Sequence, residues 1–157
     1  MRKVIGIGET ILDIIFKNEQ PTAAKPGGST FNSMITLGRL GVNTEFISEV
    51  GRDRLGKQIK DFLAENNVKS ENVYDYDGGK TALSLAFLDE NMNADYLFYK
   101  NDAAQKLDYV MPKIEENDII VIGSFFSIND ALRENLTYLL DEAKRKKAII
   151  YYDVNFR

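Results

Sequence analysis

The stretch "KPGGSTFNSMITLGRLG", Lys25 to Gly41, sets two adjacent glycines directly before an apolar-periodic run that carries an early side-chain amide. Gly27 and Gly28 leave the backbone bare at a helix start, where unsatisfied N–H groups point towards a ligand. Asn32 offers both a donor and an acceptor, which matches a vicinal diol, and upstream Asp13 could accept hydrogen bonds from two hydroxyls. Together they suit a polyhydroxylated ligand. Each has a plainer reading as well: a chain turn, a surface carboxylate, an ordinary first-turn asparagine.

Two other segments approach nucleotide motifs. "GIGETI" supplies Gly6 and Gly8, but Ile11 stands where a dinucleotide fingerprint needs its third glycine. "GRDRLGKQ" places Gly51, Gly56 and Lys57 between a strand and a helix, which would allow a P-loop NTPase using Gly51–Lys57. Gln58 then occupies the position where a hydroxyl should bind magnesium. The alternative has Asp53 capping the helix and Lys57 in water.

Composition narrows the chemistry. Cysteine and histidine are absent, which removes thiolate nucleophiles, disulfides, His-bound metals and any Ser–His relay. Phosphoryl transfer suits the remaining groups, because it depends mostly on positioning and charge. The 20 basic and 24 acidic residues give a net charge of −4, which argues against a nucleic-acid partner. No apolar run reaches membrane-spanning length, and Glu9 and Asp13 come too early for a signal peptide. A cytoplasmic protein with no membrane partner is expected. At 157 residues and 44% hydrophobic content, one domain with a real core is possible.

The elements that must position these residues follow from periodicity. "KVIGIG", "TEFISEVG", "NDIIVIGS" and "AIIYYD" read as strands, the first and third fully buried. A helix runs from about Thr30 to Leu40, capped by Ser29 or Thr30 and closed by Gly41. "DRLGKQIKDFLAENN" is a second helix, and a short one begins near Asp102. Ser127 and Asp130 resemble a capping box before a helix with Leu132, Leu136, Leu139, Leu140 and Ala143 on one face. "KTALSLAFLD" and "ADYLFYK" alternate as a β-hairpin, while "KNEQPTAAKPGG" reads as a break. The order predicts an α/β fold with a doubly wound, mainly parallel sheet. The excursions at 11–17 and 80–100 should pair as a small separate sheet.

Ligands bind beyond the carboxyl ends of strands in such sheets. Asp13, Gly27, Gly28, Asn32, Gly51, Asp53, Ser124, Asn155 and Arg157 all fall there on this reading.

"GIGETILD", "GGSTFN" leading to "LGRLG", "EVGRDRLG", "YLFYKNDAAQKL" and "DVNFR" in this order resemble the ribokinase/PfkB family of carbohydrate kinases. The resemblance covers the chain from end to end and favours the fructokinase branch. It implies a ribokinase-like, Rossmann-like core with a β lid. Asp13, Gly27, Gly28 and Asn32 would hold the sugar, Phe98 and Lys100 of the lid hairpin would cover it, and Arg157 would lie near its acceptor end. A Tyr-x-Arg common in 2-keto-3-deoxygluconate kinases is replaced here by Phe98-Tyr99-Lys100. The family's Gly-Ala-Gly-Asp run does not occur, so no residue of this chain is assigned a catalytic or metal-binding role. ATP and Mg2+ would be bound mostly by a C-terminal half that residues 1–157 lack. The chain alone is then expected to be inactive, as a sugar-binding half or a non-catalytic sugar-binding or dimerising fragment, and to form a homodimer through the lid.

Overall fold

The computed structural model describes residues 2–100 and 106–155. Among the described residues, ten strands form two sheets, and three α-helices accompany them. The larger is wholly parallel. Its centre is β1 (Val4–Ile7), flanked by β4 (Thr44–Gly51) and β9 (Ile119–Gly123), with β10 (Ile149–Asp153) outside β9. Two short strands, β5 (Val68–Lys69) and β6 (Val73–Tyr76), share the far side of β4. Sequence periodicity does not reveal them, because two to four residues hold no full alternation.

Alternation along β1 feeds two cores. Val4 packs with Phe31, Met34 and Ile35 of α1 (Ser29–Arg39) and with Ile59 and Leu63 of α2 (Arg54–Glu65). Ile5 and Ile7 face the other side, towards Leu136, Leu139 and Ala143 of α3 (Arg133–Arg145). Helices on both faces fit the doubly wound expectation.

Two helix starts differ from the sequence reading. Gly28 occupies the N-cap of α1, and no side chain caps it, so neither Ser29 nor Thr30 does so. The Ser127–Asp130 capping box does not form. Ser127 Oγ instead donates to the Ser124 carbonyl, Asn129 caps a 3-10 turn, and α3 begins only at Arg133. Two successive 3-10 turns use up the polar groups before the α-helix starts. Gly41 has the expected left-handed φ, 78°. The helix expected near Asp102 begins outside the described residues.

The smaller sheet is mixed, in the order β3 (Gln20–Gly27), β2 (Ile11–Lys17), β7 (Leu83–Leu88), β8 (Ala94–Tyr99). β2 and β7 pair in parallel across a long sequence separation, and the flanking pairs are antiparallel. β3 corrects the break expected at "KNEQPTAAKPGG". Pro21 and Pro26 are tolerated because β3 is an edge strand, where missing N–H donors can face solvent. Asn18 and Glu19, both at positive φ, turn β2 into β3.

Candidate functional site

Register places a row of side chains on one face of the small sheet. Asp13 on β2 stands between Lys25 on β3 and Ser84 on β7, and Ser84 stands opposite Phe98 on β8. Residues paired this way point to the same face. The wholly buried Ser84 donates its hydroxyl to Asp13 Oδ1. Asp13 Oδ2 lies 2.5 Å from where a Cβ on residue 27 would sit, so the carboxylate fits only because that residue is glycine. Gly28 follows at φ 133°, and a Cβ there would come 2.3 Å from the Glu9 carbonyl oxygen.

Asp13, Gly27 and Gly28 therefore meet at one seam, where β3 hands over to α1. The first N–H groups of α1 open towards the seam without a side-chain cap. Asn32 lies one turn inside the helix, its N–H donating to the Gly28 carbonyl at 3.0 Å. Its side chain lines an open groove of about 450 Å³ with Ser33, Thr36, Leu37, Val121 and Tyr151, on the side towards β10. Phe98 is exposed and stacked on Tyr96, and the Lys100 ammonium lies 5.2 Å from its ring centroid. Arg157 lies outside the described residues.

Sequence reading missed two participants. Ser84 looks like a small residue in an alternating strand, and its partner is 71 positions away. Glu9 stands in the quoted "GIGETILD" but carried no assignment. Its carboxylate binds Lys100, and its carbonyl abuts Gly28.

Acidic residues also tie the small sheet to the core. Asp53 caps α2 through Leu55 and Gly56 N–H and takes both the N–H and hydroxyl of Thr81, just before β7. Burial pushes its carboxyl up, but these four donors outweigh it and hold the pKa below the usual value. The Tyr76 hydroxyl fixes the Lys80 carbonyl at 2.6 Å. Glu49, almost wholly buried, accepts the N–H groups of Lys106 and Leu107 on Oε2, while Oε1 has no partner among the described residues. Burial raises its pKa; the two N–H bonds pull against that, and Asp108 adds to the rise.

The same contacts correct the P-loop alternative. The turn's N–H groups that would cradle phosphate are already used, those of Leu55 and Gly56 by the Asp53 carboxylate, that of Gly51 by Thr81 Oγ1 and that of Arg52 by the Tyr76 carbonyl, and exposed Lys57 is paired with Asp61. Ser124, at the carboxyl end of β9, adopts φ 62°, ψ −171°, a region that residues with side chains avoid. Among the described residues, no group of three His, Cys, Asp or Glu could hold a metal ion, and no helix is long and apolar enough to cross a membrane.

A parallel α/β core beside a small mixed sheet, with a carboxylate and a glycine pair at their seam, defines the ribokinase-like class of fold. Within that class, the chain belongs to the pfkB family of carbohydrate kinases, whose profile matches residues 1–157. Probable fructokinase-3 of Arabidopsis thaliana is 26% identical over 98% of this chain and 48% of its own length. Fructokinase-1 of Oryza sativa subsp. japonica is 27% identical over 98% of this chain and 51% of its own. The chain thus spans about half the length of such relatives. Among solved structures, an uncharacterized sugar kinase from Pyrococcus horikoshii superposes with a TM-score of 0.81 at 23% identity, covering 98% of this chain and 55% of that one. A double mutant of fructokinase from Vibrio cholerae, bound to fructose, ADP and potassium, gives 0.84 at 20% identity, covering 100% and 51%.

Proposed function

We propose that this chain is the sugar-binding half and lid of an ATP-dependent carbohydrate kinase, with fructose the favoured sugar. The observation that carries the reading is the seam itself: Asp13 held by Ser84, against two glycines that leave no room for a side chain. Asp13 would accept sugar hydroxyls, the bare N–H groups of α1 would donate to them, and Asn32 would complete the set. Phe98 and Lys100 would cover the ligand, and Arg157 would lie near the accepting hydroxyl. The relatives named fructokinase support the choice of sugar.

ATP would supply the transferred phosphoryl group and Mg2+ would offset its charge. The described residues fit neither ligand, since the Gly51–Lys57 turn is occupied and no ligand cluster is present. Both would be held by residues outside this chain, as would the base that takes the hydroxyl proton. The chain alone is therefore expected to show no sugar-dependent ATP turnover.

The second face of the small sheet favours self-association. Ile14, Leu85 and Leu97 form one cross-strand row on it and Phe16 and Phe87 another, the two rings stacked 4.7 Å apart. Leu97 and Tyr99 on this face are largely exposed. A homodimer through the lid would cover it. A mass that stays monomeric at every concentration would count against this.

Thermal-shift measurement across ketoses and aldoses tests the sugar assignment. Fructose should raise Tm, and Asp13→Asn should abolish the rise. No shift with fructose alongside a shift with another sugar would replace fructose by that sugar.

A further inference from the structure

Lys100 stands beside the Asp13–Ser84–Phe98 row, yet its charge is already matched. The ammonium lies 2.6 Å from Glu9 Oε1 and 2.8 Å from Oε2, with the two side chains only 27% and 26% exposed. Partial burial weakens solvent screening, so the pair holds more firmly than one in open water. The Glu9 carbonyl abuts Gly28. The pair therefore bridges from the end of β8 to the start of α1, alongside the seam.

Within the row itself the formal charges belong to Asp13 and Lys25. Asp13 is negative, and Lys25 opposite it is exposed and open to solvent screening. A ligand carrying a carboxylate or phosphate would meet the Asp13 charge and find the part-buried ammonium already neutralised. A neutral polyol meets no such cost, because it needs only hydrogen-bond partners.

We infer that the Glu9–Lys100 ion pair is a charge filter, selecting a neutral sugar against a sugar acid or sugar phosphate. The inference rests on the sugar-binding reading of the same seam. It gives Glu9 a role in specificity without contact with the reacting hydroxyl.

Isothermal titration of the protein at its natural length tests it, with fructose as the neutral probe and 2-keto-3-deoxygluconate as the acidic one. The unaltered protein should bind fructose more tightly. Glu9→Gln frees Lys100, and the affinity ratio should move towards the acid by about tenfold or more, as a new charge-assisted hydrogen bond would give. Adding Lys100→Met should take that gain away. Fructose binding with an unchanged ratio in Glu9→Gln overturns the filter alone. Acid bound by the unaltered protein as tightly as fructose overturns it without any variant. Failure of both probes to bind any of these proteins overturns the sugar reading, and the filter with it.

Discussion

In the parallel core Ile5, Phe31, Phe46 and Ile120 are sealed from water, whereas in the small sheet Leu97, Phe98 and Tyr99 are 49%, 59% and 59% exposed. The core is held by apolar packing on both faces of one sheet, which is hard to deform. The small sheet is fastened to it by polar contacts at its margins, Asp53 to Thr81 just before β7 and Glu9 to Lys100 just after β8. Such fastenings fix a position at modest free energy.

The contrast can be broken from either side. Phe46→Ala removes a wholly buried ring between α1 and the sheet and should cost about 3–5 kcal/mol in chemical denaturation. Asp53→Ala removes the α2 cap and two bonds to Thr81. The cap alone is worth about 0.5–2 kcal/mol, and hydrogen exchange should rise around Thr81 while β1 stays protected. Ser84→Ala should leave Tm nearly unchanged but weaken fructose binding about tenfold, by freeing the Asp13 carboxylate from a charge-assisted hydrogen bond. Equal losses of stability and binding would make Ser84 merely structural. Ser124→Gly relieves a strained backbone at the end of β9 and should stabilise by roughly 1 kcal/mol.

The two carboxylates at either end of the β4–α2 corner should respond to pH in opposite ways. Asp53 binds its proton less tightly when folded, so its stabilisation is present above the ordinary 3.8 and fades as pH falls through the lowered value. Glu49 binds its proton more tightly when folded, so its contribution is complete below the ordinary 4.5 and is lost as pH rises through the raised value. Melting scans from about pH 2 to pH 8 should show Asp53→Asn losing ground to the unaltered protein as pH rises through the acid end, below about pH 5, and Glu49→Gln gaining on it above about pH 4.5.

Much of this was legible in the sequence. β1 and β9 are apolar runs, and the stripes of α1, α2 and α3 put Phe31, Ile59 and Leu139 in the core as their spacing implies. β3 was hidden by its prolines, which an edge strand accepts and a central one would not. Asp13, Gly27 and Gly28 stand out by residue type, and the two glycines also by their position where a strand meets a helix. Ser84 and Glu9 do not, because their roles depend on β2–β7 register and on a contact between residues 9 and 100. No local pattern encodes either.

The convergence of residues 13, 27–28 and 98–100 on one ligand is tested most directly by backbone amide shifts of the isotope-labelled protein titrated with fructose. Perturbations should gather at Asp13, Gly27, Gly28, Phe98 and Lys100, leaving Lys57 and Asp61 unmoved. Shifts confined to the Gly51–Lys57 turn, with the seam silent at saturation, would contradict the site described.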